Sequence, residues 1–379
     1  MGQQLVLVGG GHAHLVTLAR LHQFIKKGHS VTVIQPSEYH YYSGMGPGML
    51  GQTYTPEQIR FATRHVVEKQ GGTFVLAKVV HVDADNRILR LDSGQNIAYD
   101  LVSFNCGSHV PRPDIIDART DYYTVKPIEK LLDAQARVLS LAGEKKATIG
   151  IIGGGPSAIE VAGNIRGLTR HCRPAPDIEI FTRHRLLGRF PDRIRRKIAQ
   201  SLRASQITVY EHSPVERIDA GRVHLAAGPP RPIDLLFVAT GVQPSPLFSD
   251  SGLPTGPDGG LRVNRFLQNP RHPEMFGGGD CIYFSPRPLD KVGVYAVREN
   301  PVLCHNLMAA MENTPLKPFD PGGSYLLIFN LGGGKGILRK RWLQFGGRPA
   351  FLIKDYIDRR FMKKFQAIES SRANGEIHV

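Results

Sequence analysis

Long apolar runs are absent from this sequence of 379 residues. No stretch approaches the roughly 20 apolar residues that a membrane-spanning helix needs, so we expect no transmembrane segment. The first apolar segment begins almost at Met1, and we therefore expect no signal peptide and a cytoplasmic protein. A composition of 41% hydrophobic and 21% charged residues is typical of globular proteins, and the length predicts at least two domains.

Cysteine is scarce, with four residues at positions 106, 172, 281 and 304 and no Cys-x-x-Cys pair. The spacing argues against a local redox disulfide and against a zinc knuckle, and no metal site is expected. We expect most of the four thiols to behave as small buried hydrophobic groups.

Acidic residues are few in two segments, which together carry the net charge of +15. Residues 183–203 contain eight Lys/Arg and one acid, and residues 335–364 contain ten Lys/Arg and two acids. No nucleic-acid-binding module accompanies either patch, and basic residues alone give only salt-sensitive binding. Nucleic acid is therefore not an expected partner.

Glycine is abundant, and two triplets of it stand directly after apolar strands. Residues 5–8 read as a buried strand that runs into Gly9, Gly10 and Gly11, and residues 149–152 run into Gly153, Gly154 and Gly155. Gly9 permits a tight turn, and Gly11 lets the backbone approach a pyrophosphate at a helix N-terminus. We call these the first glycine turn (residues 9–11) and the second glycine turn (residues 153–155). Their repetition predicts two dinucleotide sites in one chain.

Each glycine turn, with the strands around it, forms one unit. In each unit, the residue that follows the strand after the glycine turn determines which nucleotide binds. An acid there binds ribose hydroxyls, but the first unit has Gln35, whose amide can still hydrogen-bond a ribose. The second unit has Thr182 followed by Arg183 and Arg185, which favours a 2′-phosphate and hence NADPH. Alternatively, the two arginines begin the basic helix predicted at 191–203 and are simply solvated.

Two further segments suggest contact with a cofactor. Residues 39–48 form a loop rich in glycine and aromatic residues, as expected beside a flat ring, although an ordinary packed loop remains the alternative. Asp280 follows an apolar approach and a glycine turn, where its carboxylate can accept hydrogen bonds from a ribityl hydroxyl.

These motifs together resemble a known family. The two glycine turns, the segment Val238-Ala239-Thr240-Gly241-Val242-Gln243-Pro244 and the late Gly278-Gly279-Asp280 resemble FAD-dependent flavoproteins of the pyridine nucleotide-disulfide oxidoreductase type, in the branch of type II NADH dehydrogenases and sulfide:quinone oxidoreductases. The segments at 9–14, 42–48, 293–298 and 357–362 are similar to a subgroup that includes the flavin domain fused to some selenide, water dikinases.

The resemblance implies an α/β fold with two Rossmann-like domains of the three-layer ββα type. It places an FAD domain at 1–113 and 235–320, with an NAD(P) domain at 114–234 inserted into it. Residues 321–379 would form a C-terminal region with a basic helix for an interface or for membrane association.

The resemblance also implies cofactor contacts residue by residue. Gly9, Gly11 and Gln35 would hold the adenosine diphosphate of FAD, Gly279 and Asp280 its ribityl and phosphates, and Gly44 and Met45 would border its ring. Gly153, Gly155 and Glu160 would face NAD(P)H, and Lys291 would stabilise the anionic reduced flavin. Glu160 has an alternative as an acid in the first helical turn that complements the helix dipole. Further cofactor contacts are implied at His12, Ala13, Val80, Gly107, Arg183 and Gly241. The chain departs from the family pattern at Ala13, His14, Gln35, Glu299 and Asn300.

The implied reaction is hydride transfer from NAD(P)H through the flavin to a quinone-type acceptor. One alternative is oxidation of sulfide or another reduced chalcogen, which needs cysteines near the flavin, with Cys106, Cys281 and Cys304 as the candidates. A second alternative is a non-catalytic protein that senses nucleotides.

The C-terminal segment bears on location and partners. Ile353, Ile357, Phe361 and Phe365 recur every four positions beside basic residues, a pattern typical of a helix on an anionic membrane surface. The alternative is a terminal helix packed on its own protein or on the second subunit of a homodimer. We expect a peripheral location at the inner face of the cell membrane.

Overall fold

The computed structural model describes residues 2–111, 113, 115–117 and 119–370. The predicted boundary at Asp114 and the last nine residues of the predicted C-terminal region lie outside the described residues. The strands are β1 (Gln4–Val8), β2 (Ser30–Gln35), β3 (His40–Tyr41), β4 (Arg60–Phe61), β5 (Thr73–Leu76), β6 (Val79–Asp83), β7 (Ile88–Leu91), β8 (Asn96–Ala98), β9 (Leu101–Phe104), β10 (Ser108–His109), β11 (Tyr122–Thr124), β12 (Thr148–Ile152), β13 (Asp177–Phe181), β14 (Ile207–Tyr210), β15 (Val215–Asp219), β16 (Arg222–Leu225), β17 (Arg231–Pro232), β18 (Leu235–Val238), β19 (Gln243–Pro244), β20 (Leu261–Val263), β21 (Met275–Gly277), β22 (Ile282–Phe284), β23 (Leu327–Asn330), β24 (Gly336–Lys340) and β25 (Leu343–Gly347).

The helices alternate with these strands in the α/β manner that the sequence predicts. They are α1 (Leu15–Ala19), α2 (Leu21–Lys26), α3 (Gly46–Leu50), α4 (Pro56–Ile59), α5 (Thr63–Lys69), α6 (Lys130–Glu144), α7 (Pro156–Leu168), α8 (Asp192–Ala204), α9 (Leu247–Asp250), α10 (Gly293–Met311) and α11 (Arg348–Ser370), with short 3-10 helices at His12–His14, Ser43–Met45 and Gly279–Cys281.

The first sheet is parallel, in the order β21-β9-β1-β2-β5. Its central strand β1 is apolar and buried along residues 5–8, as expected for a parallel strand covered on both faces. An antiparallel sheet of β6, β7 and β8 and the helices α1, α2 and α10 share one hydrophobic core with it. These are the three layers that the sequence predicts.

The second sheet is also parallel, in the order β11-β18-β12-β13-β14, with an antiparallel sheet of β15, β16 and β17 beside it. Strand β18 pairs with both β11 and β12. The second sheet therefore extends through Val238, one strand beyond residue 234, where the inserted domain is predicted to end.

The C-terminal region consists of strands followed by the predicted basic helix. Residues 327–347 form the antiparallel sheet β23-β24-β25, and the basic helix α11 starts only at Arg348. Helix α11 buries Phe365 and Ile368 in the core of the first sheet and Met362 in the core of the second. Among the helices of the described residues, none has both the length and the apolar character needed to cross a membrane.

A tight contact joins α7 of the second unit to the turn after β23. A Cβ on Gly163 would lie 2.3 Å from the Leu331 carbonyl oxygen, whereas a Cβ on Gly143, near the end of α6, would meet nothing within 4 Å. We expect Gly163→Ala to destabilise the fold by about 1–3 kcal/mol because backbone must move apart.

The matched control is Gly143→Ala, for which we expect unchanged or slightly higher stability, by up to about 1 kcal/mol, since alanine favours the helix. Denaturant unfolding of both variants checks this prediction. Equal stabilities for the two variants would contradict it.

Candidate functional site

A cavity of about 380 Å³ opens where β1, β2 and β9 end, and we call it the main cavity. In open parallel sheets, ligands bind in the crevice at the carboxyl ends of the strands. The first glycine turn forms part of its wall, together with His12, Gln35, His40, Cys106, Gly107, Ser108, Lys126 and Asp280. Residues from distant parts of the chain thus meet around this cavity.

The first glycine turn leaves no room for side chains. A Cβ on Gly9, whose φ is +88°, would lie 2.4 Å from the Asn105 carbonyl oxygen, and one on Gly11 would lie 2.2 Å from Asn105 Oδ1. The backbone at the cavity is therefore bare, which is the geometry that a pyrophosphate at a helix N-terminus requires. This cradle fits the diphosphate of FAD.

The Gln35 side chain braces this turn. Its Oε1 accepts a hydrogen bond from the Gly10 N–H at 2.8 Å, and its Nε2 donates to the Ser37 and Tyr39 carbonyl oxygens at 2.6 and 2.9 Å. Both amide hydrogens are used by the backbone. Only the remaining acceptor capacity of Oε1 is available for the predicted ribose contact.

Asn105, which the sequence analysis missed, joins two turns of the predicted FAD site. Its Oδ1 accepts from the Ala13 N–H at 3.1 Å, and its Nδ2 donates to the Gly278 carbonyl oxygen at 2.6 Å. The available signal was a polar residue at the end of the buried strand β9. This single side chain therefore fixes the distance between the first glycine turn and Gly279-Asp280.

Three histidines near the first glycine turn, the buried His12 and His14 and the half-buried His40, have pKa values lowered by desolvation and are uncharged at neutral pH. His14 contacts the Gly9 carbonyl oxygen at 2.6 Å and Ser103 Oγ at 2.8 Å. Burial lowers the pKa of His14 and of His12 to about 4, and the Lys126 charge lowers that of His12 further. His12 Nδ1 lies 3.1 Å from His40 Nε2, whereas His12 Nε2 finds no hydrogen-bond partner among the described residues.

Lys291 and Lys126 line two different cavities. Lys291, the predicted flavin lysine, binds Asp258 at 2.8 Å and the Ile282 carbonyl oxygen, and it lines a separate small cavity with Glu299. Lys126, which the sequence analysis did not single out, lines the main cavity and binds Asp280 at 2.8 Å. Lys291 thus does not line the main cavity, and its catalytic role stays a prediction.

Glu160 belongs to a buried polar cluster with the C-terminal helix. Its Oε1 accepts from the Asn330 N–H at 2.8 Å, and burial raises its pKa to about 6 although Lys354 opposes the shift. Glu160 lies beyond the first turn of α7, so the alternative role as a first-turn acid is wrong.

Lys354 and Asp358 complete this cluster. Lys354 Nζ lies 2.7 Å from Asp358 Oδ2 and donates to the Gly44 carbonyl oxygen at 2.8 Å, and the Tyr42 hydroxyl donates to Asp358 Oδ1 at 3.2 Å. Both charged side chains are buried. Their spacing of four residues with opposite charge was the signal for a pair.

The second glycine turn has the same closed geometry. A Cβ on Gly153, whose φ is +142°, would lie 2.2 Å from the Ala239 carbonyl oxygen. Gly155 faces open space at the N-cap of α7. Arg183 and Gly241 are exposed, Arg183 shortly after β13 and Gly241 beyond β18.

The remaining predicted contacts are spread around the main cavity. Gly107 lines it, but at β6 the lining residue is Val79, while the Val80 side chain is 44% exposed. Met45 is fully buried in the core of the second unit, beside Gly44, and neither lines the cavity. Contacts of Val80, Gly44 and Met45 with a cofactor remain predictions.

The structure brings two of the cysteines together. Cys106 is exposed at the cavity, and the Cys281 thiol is its neighbour, buried 3.3 Å from the Gly278 carbonyl oxygen. Cys281 and Cys304 are buried as expected, whereas Cys106 is not.

Comparison with known proteins agrees with this architecture. The sequence profile described as "Pyridine nucleotide-disulphide oxidoreductase" matches residues 3–308. Demethylphylloquinone reductase NdbB of Synechocystis sp. is 24% identical over 374 residues, covering 93% of this chain and 90% of the relative.

Two solved structures share the fold over nearly the whole chain. Sulfide:quinone oxidoreductase from Aquifex aeolicus superposes with a TM-score of 0.79 at 18% identity, covering 97% of this chain and 92% of its own. NDH2 from Plasmodium falciparum in complex with NADH gives 0.81 at 14% identity, covering 98% of each chain.

A buried acid next to the main cavity gives a pH-dependent prediction. Glu299 is 1% exposed and accepts a hydrogen bond from the Gly279 N–H at 2.5 Å. Burial raises its pKa to about 7, and Asp280 adds to the shift while Gly279 and Lys291 oppose it. Between the ordinary pKa of a glutamate and pH 7, the folded state therefore holds a proton that the unfolded state has lost.

We expect stability to fall as pH rises through that window, and Glu299→Gln to remove this part of the fall, an effect of order 2–3 kcal/mol. Urea unfolding of both proteins from pH 4.5 to 7.5, at one FAD concentration, measures the difference. Parallel stability curves for the two proteins would contradict the assignment.

Proposed function

The chain belongs to the pyridine nucleotide-disulphide oxidoreductase family, and from this membership we propose that it is an FAD-dependent oxidoreductase that passes hydride from NAD(P)H to a quinone-type acceptor. The predicted resemblance to this family is confirmed. The observation that carries the proposal is the pair of closed glycine turns, one at the carboxyl ends of each parallel sheet.

The residues of the main cavity fit FAD. Those N–H groups around the first glycine turn that Gln35 and Asn105 do not engage would hold the diphosphate, and Asp280 and Lys126 would meet the ribityl and phosphate groups. When bound, FAD would accept a hydride and pass two electrons to a quinone. NAD(P)H would bind at the second glycine turn, with Arg183 and Arg185 favouring the 2′-phosphate of NADPH.

Within the cluster of Glu160, Lys354 and Asp358, Glu160 would supply one proton to the acceptor. Reduction of a quinone to a quinol takes up two electrons and two protons, of which the hydride brings one proton. Glu160 Oε1 is engaged by Asn330, so its other oxygen can hold a proton, and a pKa of about 6 suits transfer near neutral pH. Lys354 Nζ, bound to the Gly44 carbonyl oxygen and to Asp358, places an ion pair beside the predicted ring.

Oxidation of sulfide or another reduced chalcogen is the second candidate function. It is favoured by the position of Cys106 at the cavity with the Cys281 thiol behind it. Oxidation of sulfide needs no pyridine nucleotide and leaves the closed second glycine turn without a role, and we therefore rank the NAD(P)H reaction first.

We expect anaerobic mixing with NADPH to bleach the yellow protein faster than mixing with NADH, and a soluble quinone to restore the colour. Glu160→Gln should slow the recovery by about 10- to 100-fold, since it removes an acid, and should affect bleaching less. Stopped-flow absorbance of the visible flavin band follows both steps.

Absence of bleaching with either nucleotide would contradict the proposed function and favour a nucleotide-sensing protein. Bleaching by sulfide that disappears in Cys281→Ser would replace it with the second candidate.

The C-terminal region carries an exposed apolar surface, which we name the tail surface: Trp342, Leu343, Leu352, Ile353, Tyr356 and Ile357. Trp342 is 83% and Tyr356 63% exposed. The predicted stripe divides, because Ile353 and Ile357 are exposed whereas Phe361 is half-buried and Phe365 buried. Positions four apart advance by about 40° around a helix, so such a stripe turns from solvent into the core.

We propose that the tail surface contacts the inner face of the cell membrane peripherally. Exposed Lys340, Arg341, Lys363 and Lys364 lie on the same elements and would attract anionic lipid, while the aromatic rings would enter the headgroup region. The alternative is that the second subunit of a homodimer covers the tail surface.

We expect the double variant Trp342→Ser/Tyr356→Ser to bind anionic vesicles about 10-fold more weakly, because two large apolar side chains no longer enter the lipid. Leu76→Ser, at an exposed leucine on β5 of the first sheet, is the matched control and should bind as the unmodified chain does. Vesicle co-sedimentation measures this. Equal binding by all three proteins, or a dimer that the double variant dissociates, would contradict membrane contact.

A further inference from the structure

One polar cluster joins all three predicted segments of the nucleotide-binding part. Ser108 comes from the first segment, Lys126 from the inserted segment and Asp280 from the returning segment. Lys126 Nζ lies 2.8 Å from Asp280 Oδ2 and 2.7 Å from Ser108 Oγ, and Ser108 Oγ lies 2.8 Å from the same Asp280 oxygen. We name this set the three-segment cluster.

The backbone explains how Lys126 reaches the cavity. It follows β11, an edge strand of the second sheet, and precedes α6, so it leaves the carboxyl end of a parallel strand. Its side chain crosses from the second unit to the cavity of the first and is only 22% exposed. A lysine that merely needed solvation would keep its side chain exposed, as Lys130 on α6 does.

The two charges in the cluster balance each other as an ion pair. Burial alone would raise the pKa of Asp280, but the Lys126 charge and the hydrogen bonds from Lys126 and Ser108 lower it below its usual value. Asp280 is thus ionised, and Lys126 compensates it. A bound dinucleotide then adds its own diphosphate charges beside the neutral His12 and His40.

The hydrogen-bonding capacity of the cluster also remains incomplete. An ammonium group carries three donors, and Lys126 uses two of them on Asp280 and Ser108. Its third N–H and the second Asp280 oxygen have no partner recorded among the described residues. A donor with positive charge and an acceptor with negative charge therefore border the cavity side by side.

We propose that Lys126 binds FAD. Lys126 directs its third N–H to the phosphate or ribityl oxygens of FAD, while Asp280 accepts a hydrogen bond from a ribityl hydroxyl. This inference rests on the proposed function, because it takes FAD as the occupant of the cavity. The ligand class that matches the pair is a polyol phosphate, since it offers an anion and hydroxyl groups together. Through Lys126 the inserted segment would take part directly in holding the cofactor of the other unit.

The test is FAD affinity measured on full-length protein from which FAD has been removed, by quenching of flavin fluorescence. We expect Lys126→Met to weaken FAD binding by about 10- to 100-fold, the range for one hydrogen bond from a charged group. Lys126→Arg should stay within about 5-fold, because it keeps the charge and a donor. Lys130→Met, four residues along and exposed, is the matched control and should leave the affinity unchanged.

Salt dependence separates a charge contact from a structural role. Affinity of the unmodified chain should fall as salt rises, and the fall should be shallower in Lys126→Met because one cationic contact is missing. Ser108→Ala, which keeps the charge, should weaken binding less than Lys126→Met and provides a second variant if that protein folds poorly.

The inference is overturned if Lys126→Met binds FAD as the unmodified chain does, with the same salt dependence, even where its melting temperature is lower. Failure of the unmodified chain itself to bind FAD would instead contradict the proposed function.

Discussion

The close approach of the first glycine turn to the end of β9 is the contact on which the site depends. Side chains at Gly9 and Gly11 would lie within 2.4 Å of Asn105, so the turn closes only around bare backbone. The same closure lets the Asn105 amide accept from the Ala13 N–H and donate to the Gly278 carbonyl oxygen. Asp280 is placed by that connection, and Lys126 is placed by Asp280. One steric constraint thus fixes the polar groups along the whole cavity.

The parts of this architecture that could be predicted from the sequence are those with local signals. An apolar strand that runs into glycines specifies its own turn and the parallel sheet around it, and both units followed that pattern. Asn105, Lys126 and His40 could not be predicted, because their partners lie tens to hundreds of residues away and only the sheet order brings them together. The membership of β18 in the second sheet escaped prediction for the same reason: strand pairing is a tertiary property.

The C-terminal region shows a different limit of sequence patterns. Charge and periodicity predicted a helix with its basic residues against an anionic membrane surface, yet Lys354 and Asp358 are buried as a pair that reaches Gly44 and Tyr42. Burial of a charged pair is tolerable only when hydrogen bonds satisfy both partners, and here the backbone and a tyrosine do so. Helix α11 therefore serves two purposes: one face completes the polar interior near Glu160, and the other presents the tail surface.

The central claim is that FAD lies on the first glycine turn, with the buried cluster of Glu160, Lys354 and Asp358 beside its ring. A crystal structure of the protein with bound FAD tests this most directly. The account predicts electron density for the diphosphate at the N–H groups after Gly11, with its oxygens within hydrogen-bonding distance of that backbone, and for the ring next to Gly44. Density for FAD on the second glycine turn, or a ring remote from Gly44 and Lys354, would contradict it.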